Sequence, residues 1–198
     1  MVNDYYSAIK KIQEYAEENN VPIMTNEGIT FLTDYVRKYN IKRILEIGTA
    51  IGYSAIMMAL ANENAEITTI ERDEKRYLEA IKNVKRLKLE DRINLIYKDA
   101  LDVNLEEEYD LIFIDAAKAQ NIKFFEKFTE NLAPNGTVIT DNMNFHGLVD
   151  QDPSKIENRN LRALVRKVGA YRDYLKSNLK YTTTFYNIGD GIAVSKRN

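Results

Sequence analysis

The sequence predicts an α/β fold with a seven-stranded, mostly parallel sheet, helices on both faces and an antiparallel hairpin at the C-terminus. From residue 43 onward, short apolar runs alternate with segments of helical periodicity, as in strand–helix–strand units. The runs are almost continuously apolar, which is typical of parallel strands covered on both faces. The last two β-rich segments are separated only by Gly189-Asp190-Gly191, which is typical of a hairpin turn.

The predicted elements follow one another without an internal repeat or an obvious linker. Two helices, 3–19 and 26–39, come first. The elements beyond them, in chain order, are a strand at Arg43–Ile47, a helix from about Ser54, a strand at Glu66–Ile70, a helix at 73–88, strands at Ile93–Tyr97 and Asp110–Ile114, a helix at about 119–132, a strand at Gly136–Thr140, a helix near 153–177 and the hairpin strands Tyr181–Ile188 and Gly191–Lys196. We expect residues 1–198 to form a single domain.

The composition excludes several classes of chemistry. The 198 residues include no Cys and one His, so disulfides, thiolate zinc sites, Cys nucleophiles and His-pair mechanisms are excluded. Any metal must be held mainly by oxygen, which favours Mg²⁺ or a similar hard ion. The N-terminus lacks the apolar core of a signal peptide, and no uncharged run reaches the roughly 20 apolar residues of a membrane span. We therefore expect a cytoplasmic protein with no membrane partner.

The turn after the first predicted strand is rich in small residues. Ligands of parallel sheets bind at the carboxyl ends of the strands, so these positions are the candidate site. Gly48, Ala50 and Gly52 follow G-x-A-x-G spacing, which lets the backbone approach a ligand closely but differs from the dinucleotide pattern G-x-G-x-x-G. Glu46 just before them suits a cationic or hydroxyl-bearing ligand. The alternative is an ordinary tight turn.

Acidic residues also follow the second and third strands. Glu71 lies 23 residues after Gly48, close to the position where an acid accepts hydrogen bonds from ribose hydroxyls. Its alternative role is a helix N-cap, which Asp73 could fill instead. Asp99-Ala100 after the third strand is a candidate contact for an adenine edge, although an Asp after a strand is common.

Three oxygen-bearing side chains follow the fourth and fifth strands. Asp115 ends the run F-I-D-A-A-K, and Asp141 and Asn142 end I-T-D-N. Adjacent parallel strands bring these residues to one edge of the sheet, where two carboxylates and an amide would suit Mg²⁺. The alternative is that each of them only caps a turn or helix.

The charge is unevenly distributed along the chain. Residues 153–180 carry eight basic and two acidic side chains, so this segment has a net charge of +6 and the rest of the chain −8. Helical spacing predicts that four basic residues share one face and could contact phosphates. They are Lys155, Arg159, Arg162 and Arg166. The alternative is an ordinary solvated helix face.

Four strings of residues resemble a known family. They are R-I-L-E-I-G-T-A-I-G-Y-S-A-I (43–56), I-E-R-D-E-K-R (70–76), F-I-D-A-A-K (113–118) and I-T-D-N (139–142). They resemble the Rossmann-like class I S-adenosylmethionine-dependent O-methyltransferases of the catechol and caffeoyl-CoA group, from Val21 to the end of the chain. Three further features are similar to the bacterial tRNA 5-hydroxyuridine methyltransferases. They are V-P-I-M (21–24), the basic helix after 154–157 and G-D-G-I-A-V-S-K-R (189–197).

The resemblance implies S-adenosylmethionine and Mg²⁺ as cofactors. The residues it places on S-adenosylmethionine are Met24, Glu46, Gly48, Ser54, Glu71, Asp99, Ala100 and Asp115. It places the metal on Asp115, Asp141 and Asn142, and it puts Lys118 where the family carries its general base. Catalysis would then rest on Lys118 and Asp115.

The implied reaction is Mg²⁺-dependent methylation of the 5-hydroxyl of 5-hydroxyuridine at the tRNA wobble position, giving 5-methoxyuridine. The four basic residues would contact the anticodon loop, and residues 1–40 would form lid or dimer contacts in a homodimer. One alternative is a small catechol-like or caffeoyl-CoA-like acceptor, which offers two adjacent oxygens in the same way. Another is a non-catalytic nucleotide-binding module. The role of His146, which follows Asn142 in the N-M-N-F-H-G loop, stays open between the acceptor pocket and the surface.

Overall fold

The computed structural model describes residues 2–145 and 147–198. Its centre is a seven-stranded sheet. The strands are β1 (Arg43–Ile47), β2 (Glu66–Glu71), β3 (Ile93–Tyr97), β4 (Tyr109–Ile114), β5 (Leu132–Thr140), β6 (Tyr181–Tyr186) and β7 (Ile192–Arg197). The helices are α1 (Val2–Glu18), α2 (Asn26–Lys38), α3 (Tyr53–Ala61), α4 (Glu74–Arg86), α5 (Asn121–Phe128) and α6 (Arg159–Ser177). His146 lies outside the described residues, so its predicted place beside the acceptor pocket stays a prediction.

The strand order confirms the predicted fold class. The strands lie in the order β3-β2-β1-β4-β5-β7-β6. The pairs from β3 to β5 are parallel, and β7 runs antiparallel to both β5 and β6. From β1 the chain first adds β2 and β3 on one side, and it then crosses over to add β4 on the other side of β1. Open α/β sheets bind their ligands at such a switch point, which here lies between β1 and β4.

The sheet separates two hydrophobic cores because successive strand residues point to opposite faces. In β4, Leu111 and Phe113 pack on one side, whereas Ile112 and Ile114 pack on the other. Helices α1 to α4 complete the first core, and α5 and α6 complete the second. Ile12 of α1 is fully buried, so the first helix belongs to the core.

Three predicted boundaries are wrong for local reasons. Strand β5 begins at Leu132 and not at Gly136. Its register against β4 shifts after Tyr109, and this irregularity lets the strand include Pro134-Asn135-Gly136. Helix α5 ends at Phe128 and continues only as a short 3₁₀ turn. Helix α6 begins at Arg159, because Asn158 is its N-cap: the Asn158 Oδ1 atom accepts hydrogen bonds from the backbone N–H groups of Asn160 and Leu161.

The late start of α6 corrects the predicted basic face. Residues 153–155 form a separate 3₁₀ turn, so Lys155 is not part of the helix. Only Arg159, Arg162 and Arg166 of the predicted set lie on α6. None of the described helices is long and apolar enough to span a bilayer.

Tyr171 links α6 to the end of β5. Its ring is buried in the second core, and its hydroxyl lies 3.0 Å from Thr140 Oγ1. Burial raises the pKa of the Tyr171 hydroxyl above its ordinary value, so the group stays a neutral hydrogen-bonding partner.

We predict that Tyr171→Phe lowers the free energy of unfolding by about 1–2 kcal/mol, because Thr140 loses a buried hydrogen-bond partner. The matched control is Tyr6→Phe, since 74% of Tyr6 is exposed and the change should cost less than about 0.5 kcal/mol. Urea denaturation followed by circular dichroism measures both. Equal stabilities of the two variants would contradict the role of the Tyr171–Thr140 contact.

Candidate active site

A cavity of about 460 Å³ opens at the carboxyl ends of the parallel strands. It contains most of the residues that the sequence assigned to a cofactor, a metal or a proton transfer. Those that line it are Met24, Gly48, Ser54, Glu71, Asp99, Ala100, Asp115, Lys118, Asp141 and Asn142. The fold therefore brings together residues from five separate strand ends and from the segment before α2.

The turn after β1 is conformationally specialised. Gly48 has a φ of +102°, and a Cβ atom at this position would lie 2.4 Å from the carbonyl oxygen of Asp115. No larger residue fits this close approach between the ends of β1 and β4. Gly52 has a φ of +85° and directly precedes α3, so the turn leads straight into a helix N-terminus. The tight turn is present in the structure, whereas its predicted close approach to a ligand stays a prediction.

Glu46 lies behind the cavity wall. It is fully buried, and its carboxylate accepts hydrogen bonds from Ser54 Oγ and Thr69 Oγ1. Burial raises the pKa of Glu46 to about 7, although the two hydrogen bonds act in the opposite direction. Ser54 does line the cavity, so Glu46 reaches it through that hydroxyl. Direct contact of Glu46 with a cofactor stays a prediction.

Glu71 is held rigidly at the end of β2. Its carboxylate accepts hydrogen bonds from the backbone N–H groups of Ala50 at 2.8 Å, Arg72 at 2.9 Å and Asp73 at 2.8 Å. The N-cap role considered for Glu71 belongs to Asp73, whose side chain accepts from Arg76 N at 2.9 Å. Glu71 therefore faces the cavity as an oriented acceptor, which suits a ligand that carries hydroxyl groups.

Asp99 forms an ion pair that the sequence did not indicate. Its Oδ2 atom accepts a hydrogen bond from Arg72 Nη1 at 3.1 Å, and its Oδ1 atom accepts one from the Leu101 N–H. The Leu101 N–H, with help from the Arg72 guanidinium, lowers the pKa of Asp99 below its ordinary value. Arg72 and Arg76 both line this end of the cavity. Both arginines belong to the I-E-R-D-E-K-R string, in which the sequence predicts a role only for Glu71 and Asp73.

The other end of the cavity holds the predicted metal ligands. Asp141 is only 4% exposed, and burial together with the charge of Asp115 raises its pKa well above the ordinary range of an Asp. Lys118 Nζ donates to Asp115 Oδ1 at 2.6 Å and supplies a positive charge there. Two neighbouring carboxylates and an amide form a set of oxygen donors that a cation would stabilise.

Within residues 2–145 and 147–198, no three Asp, Glu, His or Cys side chains are grouped closely enough to hold a metal by themselves. The predicted metal site accordingly has an amide, that of Asn142, as its third protein ligand. Asn142 has a φ of +60°, a left-handed conformation that is uncommon outside glycine. Its Nδ2 atom donates to Asp190 Oδ2 at 3.3 Å.

Sequence reasoning missed Asp190 as a site residue. We assigned it only to the hairpin turn, yet it is 8% exposed and lines the cavity. Its position between two glycines was the available signal, because such a turn can bring an acid close to a neighbouring loop. Phe145 and Gln120 also line the cavity without having been predicted.

The predicted RNA contacts lie away from the cavity. Lys155, Arg159 and Arg166 are exposed, whereas Arg162 is half-buried and donates through Nη2 to the carbonyl oxygen of Glu157 at 3.3 Å. None of these four side chains is part of the cavity lining.

Comparisons with known proteins agree with this architecture. A family model described as O-methyltransferase matches residues 3–198. A caffeoyl-CoA O-methyltransferase of Populus kitakamiensis is 26% identical over 193 residues, covering 93% of this chain and 82% of that protein. A Staphylococcus aureus structure, provisionally named a caffeoyl-CoA O-methyltransferase, is 40% identical, with a TM-score of 0.91 and 100% of both chains covered. The SAH-bound Podospora anserina methyltransferase PaMTH1 is 24% identical, with a TM-score of 0.86 over 96% of this chain and 88% of that one, and so has the same fold.

We predict that Glu46→Gln changes how stability depends on pH. The pKa of Glu46 is about 7 in the folded state and 4.5 in an ordinary environment, so the folded protein retains a proton that the unfolded chain releases. The Glu46 contribution to the free energy of unfolding therefore falls as the pH rises from about 4.5 to about 7, by on the order of 3 kcal/mol. Glu46→Gln removes this fall.

Chemical denaturation at a series of pH values measures the effect as the difference between variant and wild type. The exposed Glu90 offers a matched control, because Glu90→Gln should give a curve parallel to that of the wild type. A parallel curve for Glu46→Gln as well would show that Glu46 titrates normally in the folded state.

Proposed function

Since the chain belongs to the O-methyltransferase family, we propose that it transfers a methyl group from S-adenosylmethionine to one of two adjacent oxygens on a small catechol-like acceptor. The observation that carries this proposal is the arrangement of one cavity. The Glu71 carboxylate, oriented by backbone N–H groups, lies at one end of it, and two carboxylates, an amide and the Lys118 amine lie at the other.

The residues present fit S-adenosylmethionine. The Glu71 carboxylate, oriented by three backbone N–H groups, would accept hydrogen bonds from the ribose hydroxyls. Asp99 and Ala100 line the cavity where an adenine would lie, and Gly48, which also lines it, has no side chain that would keep a ligand from the backbone. When bound, S-adenosylmethionine supplies a methyl group on a positively charged sulfur. The SAH bound to the Podospora anserina structure supports this choice of cofactor.

The residues also fit a divalent cation such as Mg²⁺. Asp115, Asp141 and Asn142 would hold it, because two carboxylates and an amide oxygen are ligands that hard cations prefer. When bound, such an ion lowers the pKa of an acceptor hydroxyl and fixes two adjacent oxygens. The raised pKa of Asp141 supports a cation here, since an added positive charge would offset the Asp115–Asp141 repulsion.

Lys118 is the candidate proton acceptor. It has the only amine among the described residues that line the cavity. Paired with Asp115 it carries a positive charge, and a cation held beside it would favour loss of a proton from Nζ. The neutral Nζ could then take the proton of the acceptor hydroxyl as the oxygen attacks the methyl group. The contact with Asp115 Oδ1 holds Nζ at the metal end of the cavity, which is the end lined by Asp115, Asp141 and Asn142. The acceptor hydroxyl would lie there. Positioning of this kind supplies much of the rate of a methyl transfer.

The names of a curated relative and of a similar solved structure favour a small acceptor over RNA. The Populus kitakamiensis relative is named for caffeoyl-CoA, and so is the Staphylococcus aureus structure. Methyl transfer to a catechol would also need only the cofactor and the residues at the metal end of the cavity, without any contact between the acceptor and α6. A purely nucleotide-binding module would not need Lys118 together with three oxygen ligands, so we set that alternative aside.

The exposed basic residues on and before α6 support a second candidate acceptor, the 5-hydroxyuridine of a tRNA anticodon loop. Its C5 hydroxyl and C4 carbonyl are also adjacent oxygens. Arg159 and Arg166 have no acidic partner among the described ion pairs, which leaves them available for phosphates. A homodimer in which residues 1–40 form contacts would be compatible with either acceptor.

We predict that Lys118→Ala lowers kcat for methyl transfer by about 10²–10⁴-fold, because the hydroxyl proton loses its acceptor. The affinity for SAH, measured by isothermal titration calorimetry, should change little. The exposed Lys123 on α5 provides the control, since Lys123→Ala should keep wild-type kcat. Full activity of Lys118→Ala would exclude it as the base.

Charge reversal on α6 separates the two acceptors. We predict that Arg159→Glu with Arg166→Glu leaves methylation of a catechol within about twofold of wild type. If tRNA is the acceptor, the same double variant should lower tRNA methylation at least about tenfold, because phosphate contacts are replaced by repulsion. Lys10→Glu with Lys11→Glu, which reverses two exposed charges on α1, is the matched control. Labelled S-adenosylmethionine reports both reactions.

A further inference from the structure

The turn between β6 and β7 is packed against the metal end of the cavity. Gly189 lies so close to the start of α2 that a Cβ atom there would be 2.4 Å from Thr25 Oγ1. A Cβ atom on Gly191 would lie 2.6 Å from the side-chain amide carbon of Asn144. The turn is therefore fixed from both sides, and Asp190 between the two glycines has a defined position.

Two backbone hydrogen bonds tie this turn to the segment after β5. Met143 N donates to the carbonyl oxygen of Gly191 at 2.9 Å, and Asn144 N donates to that of Asp190 at 2.8 Å. They act on the two residues that directly follow Asn142. The left-handed backbone of Asn142 is thereby held in place by the hairpin turn.

The Asp190 side chain acts on the Asn142 amide itself. Its carboxylate is 8% exposed, and Oδ2 lies 3.3 Å from Asn142 Nδ2. An ionised carboxylate only accepts hydrogen bonds, so it selects the amide orientation in which the NH₂ group faces Asp190. The carbonyl oxygen Oδ1 of Asn142 is then directed away from Asp190. Both residues line the same cavity, together with Asp115 and Asp141.

We propose that Asp190 is a positioning residue that fixes the Asn142 amide with its oxygen toward the cation site. The inference rests on the proposed function, because it assigns Asn142 as a metal ligand. Outer partners of metal ligands typically change metal affinity by about 10–100-fold when they are replaced. An Asn at position 190 could donate to Asn142 as well as accept from it, so the amide would no longer have one preferred orientation.

The test is a Mn²⁺ titration of the purified protein with SAH present, followed by electron paramagnetic resonance. Asp190→Asn should weaken Mn²⁺ binding at least about tenfold. The double variant Asn142→Asp with Asp190→Asn exchanges the two groups, so that an amide donates to a carboxylate. It should recover Mn²⁺ affinity to within about threefold of wild type. Asp173→Asn, the same change on the exposed face of α6, is the control and should keep wild-type affinity.

The outcomes are distinguishable. Wild-type affinity in Asp190→Asn overturns the positioning role but leaves the proposed function intact. Absence of Mn²⁺ binding by the wild-type protein overturns the metal site of the proposed function, and the inference with it. Loss of SAH binding and of thermal stability in Asp190→Asn, together with loss of Mn²⁺ binding, assigns Asp190 a purely structural role and also overturns the proposal. Weakened Mn²⁺ binding with unchanged SAH affinity and melting temperature, and recovery in the double variant, supports it.

Discussion

The hydrogen bonds that continue the sheet just beyond the ends of its strands hold the candidate site together. Asp115 N donates to the carbonyl oxygen of Ile47 at 3.0 Å, and Asp141 N donates to that of Ile114 at 3.2 Å. Each acid is therefore fixed to the end of the neighbouring strand, as part of the backbone ladder. The Gly48 turn is required for the same reason, because only a residue without a Cβ atom lets β1 and β4 end so close together.

This rigid arrangement has an electrostatic consequence. The backbones of Asp115 and Asp141 are fixed at neighbouring strand ends, and burial together with the charge of Asp115 raises the pKa of Asp141. Lys118 compensates part of the charge. In the proposed function, a bound cation would compensate the rest, because it would lie between acids that the backbone geometry brings together. The glycine-flanked turn around Asp190 adds a third carboxylate, which contacts the amide of Asn142.

Much of the fold and of the site was predictable from the sequence because the relevant signals are local. The apolar runs located the five parallel strands, and the residues directly after them proved to line one cavity. The contribution of Asp190 was not predictable in this way, because its contact with Asn142 joins residues 48 positions apart. The Arg72–Asp99 pair likewise joins two loops. Lys155 was wrongly placed on the last long helix because the N-cap at Asn158 was not recognised.

The central claim is methyl transfer, dependent on a divalent cation, to a small acceptor with two adjacent oxygens. The most direct test incubates the protein with labelled S-adenosylmethionine and a panel of catechols, with a parallel reaction on tRNA that carries 5-hydroxyuridine. We expect label in a catechol, lost with EDTA and restored by Mg²⁺. Label that enters only tRNA would contradict the small acceptor, and transfer that continues in EDTA would contradict the cation.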